Sequence, residues 1–316
     1  MLDIHQLHVF LTAAETLNFT QAAQRLHMTQ PSVSQHIQAL ERHFNDALFI
    51  RGGRNLELSD SGMALIPLAR EAVNLSVRIE ESMASFQGTI HGHLMVGCST
   101  TPGKYILPQL LAKFHSYHPQ VRVTCHVTRQ VEVIEMLEQG DVHFALFSTP
   151  DEQHPNIELS RFICDRVVLI APLDHPWAKQ KNIEIKDLLN AQFILREEGS
   201  GTNTAIRKAF SNFGIELDDL DTLLILGNSE AIAMAVQEGL GVAFVSDVVC
   251  RRLCQDKVAI IPVNNLEINK EIYIGRHLRR PYTAAQSAFW DFIHSPDNPI
   301  RCEPDFIGLR GEHETI

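Results

Sequence analysis

The chain has 316 residues, 45% hydrophobic and 21% charged, with a formal net charge of −11. That length suits two or three globular domains, and no apolar run is long enough to predict a membrane-spanning helix. The net acidity counts against a nucleic-acid partner on charge alone, while six cysteines without disulfide or zinc spacing fit a reducing cytoplasm.

The N-terminal stretch MLDIHQLHVFLTAAETLNF has no basic leader and carries Asp3 and Glu15, so a secretory signal is not expected. A first helix is predicted from Ile4 to Leu17, with Leu7, Phe10, Leu11 and Ala14 on one face. Asn18-Phe19-Thr20 interrupts it, and Thr20 is the expected N-cap of a second helix that turns Ala22, Ala23 and Leu26 inward. After a turn at His27-Met28-Thr29, Pro31 fits only the first turn of a third helix. There Val33, Ile37, Leu40 and Phe44 make a core stripe. Pro31, Ser32, Gln35, Gln38 and Arg42 cluster opposite, with Ser34 at the flank.

Short hydroxyls and amides near a helix start can enter a major groove and pair with base edges. Geometry therefore argues for DNA where charge does not: residues 1–60 hold four arginines against six acids. Two strand-like pieces around Gly52-Gly53 then predict a β-hairpin wing with Arg51 and Arg54 at its tip, able to reach phosphate or the minor groove.

This ordered set resembles the winged helix-turn-helix of LysR-type transcriptional regulators. The resemblance is carried by Phe10, Phe19, Ala22-Ala23, Leu26, Thr29-Gln30-Pro31-Ser32-Val33-Ser34, Ile37, Leu40-Glu41, Leu48-Phe49, Arg51, Leu58-Ser59 and Gly62. It implies DNA contacts from Gln30, Pro31, Ser32, Ser34, Gln35, Arg51 and Arg54. Asn45 stands where the family usually ends the helix with Gly, and Asn tolerates the left-handed conformation.

Ser59, Asp60 or Ser61 is expected to cap a long linker helix, kinked early by Pro67. Its narrow stripe of Leu65, Ala69, Ala72, Ser76, Ile79 and Met83 suits pairing with a second copy; a helix lying on its own domain is the other reading. The Gly-containing QGTIHGH supplies a hinge.

From His93 strands alternate with helices, which implies parallel sheets covered by helices and resembles the family's two-lobed effector domain, similar to periplasmic binding proteins. The expected division is a DNA-binding domain at 1–60, linker helix and hinge at 61–92, effector domain at 93–295 and an acidic tail at 296–316. Ligands of such sheets sit at strand ends and helix starts. The candidates there are Ser99, Thr100, Thr101, Arg129, Ser148, Thr149, Ser200, Thr202, Asn228 and Ser246, and hydroxyls beside free amides suit a small anion. Each Ser or Thr alone equally reads as a plain N-cap. Arg196 adds a possible charge-assisted bond, and Glu197 and Glu198 oppose a strongly anionic ligand unless they point outward.

No catalytic motif emerges. There is no G-x-S-x-G, no H-E-x-x-H, no Walker lysine after GSGT, no base evident for Cys98, and no metal or cofactor signature. The expected protein is a cytoplasmic regulator acting on double-stranded DNA with paired half-sites. It responds to a small-molecule effector, forms a dimer or the tetramer usual in the family, and has RNA polymerase as a further partner and no membrane. The alternative is a small-molecule-binding or enzymatic α/β protein with an appended dimerisation helix, for which no specific DNA retardation is expected.

Overall fold

The computed structural model describes residues 1–52, 55–85, 90–148, 154–298 and 300. It divides into two compact units, Met1–His91 with Tyr282–Ala284, and the rest of the chain from Gly92.

The first unit opens with α1 (Ile4–Thr16), α2 (Phe19–Arg25) and α3 (Gln30–Phe44). Leu17 ends α1 in the left-handed region instead of extending it. Asn18, rather than Thr20, caps α2: its amide oxygen accepts from the N–H groups of Thr20 and Gln21. Thr20 already lies inside the first turn, where its hydroxyl cannot act as the cap. Thr29 caps α3, Pro31 sits in its first turn, and Asn45 closes it in the left-handed conformation at φ 52°. The wing is an antiparallel pair, β1 (Phe49–Gly52) and β2 (Asn55–Leu58); the Arg51 side chain and all of Arg54 lie outside the described structure.

Leu7 and Phe10 of α1, Ala22 of α2 and Val33, Ile37 and Leu40 of α3 share one core with Leu48 and Phe49. Each large side chain so buried contributes about 1.5–3 kcal/mol. Phe44, expected to complete the α3 stripe, is half exposed in the last turn. A 26-residue helix follows, α4 (Asp60–Ser85), running through Pro67 and started by Ser59, whose hydroxyl accepts from Gly62 N. Leu65 and Ala69 belong to the core of this unit, so only the later part of the expected pairing stripe, Ile79 and Met83, is exposed, together with Leu68 and Leu75.

In the second unit β3 (Gly92–Ser99) leads into one π-helical turn, Pro102–Ile106, and then α5 (Leu107–Tyr117). The helix opens this way because Pro108 has no N–H to give the carbonyl four residues back, and a widened turn absorbs the defect. β4 (Val121–Thr128), α6 (Gln130–Gln139) and β5 (Phe144–Ser148) follow, and α10 (Ala284–His294) returns to stack Phe289 on Phe114 and Phe144. These elements form one lobe.

The other lobe holds β7 (Gln192–Arg196), α7 (Gly201–Ser211), β8 (Asp221–Leu226), α8 (Ser229–Gln237), β9 (Ala243–Ser246), α9 (Asp247–Leu253) and β10 (Val258–Ile261). One apolar cluster gathers Phe193, Ile206, Phe210 and Phe244, and another Ile194, Ile232, Val245 and Val249. The strands are thereby sandwiched between α7 and the pair α8 and α9.

Two long strands, β6 (Ile157–Pro172) and β11 (Ile268–His277), serve both lobes. The strand order is β4-β3-β5-β11-β6-β10, with β9 also on β6. β3 is parallel to β4 and β5, and β7 to β8; every pairing of β6 and β11 is antiparallel. The all-parallel expectation is corrected accordingly. A register shift at Ile272/Tyr273 marks the passage from one lobe to the other.

Candidate functional site

The exposed side of α3 carries Gln30, Pro31 and Gln35, with Ser32 and Ser34 half exposed at its edges. Farther along, Arg42 donates through Nε to the Gln38 carbonyl. The helix is braced from behind. Glu41 Oε1 accepts from the N–H groups of Leu48 and Phe49 at 3.0 and 3.3 Å. Phe49 in turn meets Phe10 and Phe19 edge-on at 5.7 and 5.3 Å. A polar face at a helix start, braced by a half-buried carboxylate and three rings, is built to present side chains outward.

Within the second unit, a cleft between the lobes is lined by Ser99, Thr100, Thr101, Arg129, Ser148, Ser200 and Thr202, all expected from the sequence, and encloses about 70 Å³. Asn228 and Ser246 are not in its lining: Asn228 caps α8 through Ala231 N, and the Ser246 hydroxyl donates to Asp165. Thr149 lies outside the described residues. The lobes approach closely here, since a Cβ on Gly201 would stand 2.0 Å from Ser148 Oγ and 2.5 Å from its Cβ.

Each cation at the cleft has a carboxylate partner. Arg196, buried, donates from Nε and Nη2 to Glu197 at 2.8 and 2.7 Å and from Nη1 to Ser229 Oγ at 3.0 Å. Arg129, largely exposed, pairs with Glu132. Hydrogen bonds from Thr128 and Arg129 hold the Glu132 carboxyl below its usual range. Lys270, 5% exposed, places Nζ 2.8 Å from Asp165 Oδ2 and 3.4 Å from Thr202 Oγ1. The hydroxyls of Thr101 and Ser148 are different. Both residues are more than nine-tenths buried in the lining, and neither hydroxyl has a hydrogen-bond partner among the described residues.

Cys98 is fully buried, and burial together with nearby Cys125 pushes its thiol up to about 12, which leaves it protonated and unreactive. No group of three or more His, Cys, Asp or Glu among the described residues is arranged to hold a metal ion, and no described helix is long and apolar enough to cross a membrane.

Residues 4–63 match the bacterial regulatory helix-turn-helix family of lysR type, and residues 87–296 match the LysR substrate binding domain. The chain belongs to the LysR family. A helix-turn-helix transcriptional regulator of Methanocaldococcus jannaschii is 31% identical over 92% of this chain and 98% of its own length. The full-length LysR regulator CbnR, solved with its target DNA, shares the fold at a TM-score of 0.67 and 22% identity over 93% of this chain and 99% of that one. The CcmR regulatory domain of Synechocystis PCC6803, solved in complex with 2-PG, is 26% identical over 64% of this chain and 96% of that chain, with a TM-score of 0.58.

As a LysR regulator the chain is a sequence-specific DNA-binding transcription factor controlled by a small-molecule effector, acts as an oligomer, and is not an enzyme. Sequence reading missed Lys270 and Asp165, which face each other across β11 and β6. The available signal was a lysine in INKEIYIG at a position whose neighbours two residues away, Ile268 and Ile272, are core. Glu41 was noticed only as part of a motif, not as the anchor of the wing.

Proposed function

We propose that this LysR regulator works in the cytoplasm, reads operator bases with Gln30, Pro31, Ser32, Ser34 and Gln35, and adds backbone contacts from Arg51 and Arg54. Its effector lies between the lobes against Ser99, Thr100, Thr101, Arg129, Ser148, Ser200 and Thr202. The observation that carries the effector reading is the convergence of hydroxyls from both lobes on one cleft, those of Thr101 and Ser148 being paired to no other described residue. A hydroxyl donates one hydrogen bond and accepts others, so both can bond a ligand in the cleft. The 2-PG complex of the CcmR regulatory domain supports an anionic effector.

Pairing of two copies through the exposed apolar positions of α4 would set two reading helices on two half-sites. RNA polymerase is the partner expected when the bound regulator acts on a promoter. The test is retardation of genomic fragments followed by effector titration. Thr101→Val and Thr202→Val should each weaken the effector several-fold, at about 0.5–1.5 kcal/mol per neutral hydrogen bond. Operator affinity without effector should hold. An effector indifferent to both substitutions would remove the cleft from consideration.

A further inference from the structure

Lys270, in the cleft lining, belongs to a charged pair buried almost completely. Asp165 and Lys270 are direct cross-strand partners of β6 and β11, at 0% and 5% exposure. Burying either charge alone costs several kcal/mol, and each offsets part of that cost for the other. Asp165 is held from a second side by the Ser246 hydroxyl, which donates to Oδ1 at 2.8 Å. Lys270 is less fully engaged. An ammonium has three N–H donors; among the described residues one meets Thr202 Oγ1, Asp165 is an ion partner at 2.8 Å, and the residue belongs to the cleft lining.

The other cations at the cleft are poorly placed to meet a ligand. Arg196 spends its guanidinium on Glu197 and Ser229, and Arg129 is mostly in solvent, where a charge is worth little. Around Lys270 stand the free hydroxyls of Thr101 and Ser148 and the start of the eleven-residue helix α7, whose first-turn amides at Gly201 and Thr202 favour negative charge. These groups line one enclosed space of about 70 Å³.

Resting on the reading of this cleft as the effector site, we infer that the effector presents a compact oxyanion head group to the Lys270 ammonium, and that Asp165 is a built-in competitor that holds its affinity down. Lys270 supplies the attraction; Asp165, 2.8 Å from the same nitrogen, cancels part of it. The two residues of one ion pair therefore have opposite effects on binding. A pair that served only stability would give both substitutions the same sign.

The experiment uses the full chain and inorganic sulfate and phosphate as probes, against chloride at matched ionic strength and glycerol as a neutral control. Binding is read as a saturable rise in thermal midpoint and as heat in calorimetric titration. Sulfate excluded from the surface in general raises the midpoint without saturating. Wild type should saturate with sulfate or phosphate and not with glycerol. Asp165→Asn, which keeps an oxygen for Ser246, should bind the oxyanion at least several-fold more tightly. Lys270→Met should bind it at least ten-fold more weakly. Should Lys270→Met fail to fold, the double variant Lys270→Met/Asp165→Asn leaves no lone buried charge and should likewise lose the response.

Wild type that saturates with neither oxyanion overturns the proposal, as does a Lys270→Met or double variant that responds like wild type, or an Asp165→Asn variant that binds no more tightly. Thr101→Val separates the layers. If it weakens the oxyanion while the Lys270 variants do not, the cleft stands as the ligand site and Lys270 is removed from it. If no substitution in the lining matters, the site itself is elsewhere.

Discussion

Gly62 has no room for a side chain. A Cβ there would lie 2.2 Å from the Leu48 carbonyl oxygen, where the start of α4 crosses the strand entry, and backbone cannot swing aside. Gly62→Ala should destabilise the first unit by about 1–3 kcal/mol, measured as a lower denaturation midpoint. The need for glycine here was visible only as part of a motif, because nothing local to Asp60-Ser61-Gly62 announces a contact with residue 48. His143 makes a second case. Nothing in the local sequence VHFALFS reveals that its Nδ1 accepts from Met95 N at 3.1 Å. Burial first, then His93 and Arg280, hold this imidazole down at about 4. In the unfolded chain it titrates near 6.5, so its contribution is whole above that value and is lost as pH falls towards 4. That is about 3 kcal/mol at most. Thermal midpoints of wild type should fall over this window, and more steeply than those of His143→Gln. Parallel curves would show that other groups dominate the acid response.

Elements were easier to read than their partners. Helical periodicity placed α1 to within a residue and found the core stripe of α3, because an amphipathic stripe is a local pattern. What it could not show is which side of a stripe faces which neighbour. The stripe drawn along α4 merged Leu65 and Ala69, which complete the core of the first unit, with positions that remain exposed. The exposed positions Leu68, Leu75 and Ile79 recur at seven and four residues, the spacing of a two-helix seam. Ile79→Lys should shift sedimentation towards monomer and abolish binding to paired half-sites, since a lysine desolvated there has no partner. Unchanged sedimentation would discard α4 as the seam. On α3, Gln35→Ala should cost about 1–3 kcal/mol on the operator if its amide makes a bidentate base contact, with little change on random DNA. Equal losses on both would make Gln35 a backbone contact. The long shared strands β6 and β11 were the least readable elements. Their function as bridges depends on pairings more than a hundred residues apart, and local alternation carries no information about those.

For the whole molecule, the reading helix and the effector cleft belong to different compact units. An effector then changes DNA affinity only by binding two states of the chain unequally. The same coupling must appear in reverse: if the effector alters operator affinity by some factor, the operator alters effector affinity by that factor. Couplings of this kind usually fall at about 5–150-fold, which both titrations can resolve. The oxyanion that saturates the cleft serves as ligand in each. Operator is titrated by anisotropy with and without saturating oxyanion, and oxyanion by calorimetry with and without saturating operator. Thr101→Val should raise the oxyanion concentration needed while leaving ligand-free operator affinity unchanged. Two unequal factors would mean that the measured states are not the same pair. A loss of ligand-free operator affinity in Thr101→Val would mean that the side chain supports the DNA-binding state itself. Equal factors, with that affinity intact, would place reading and sensing on one equilibrium.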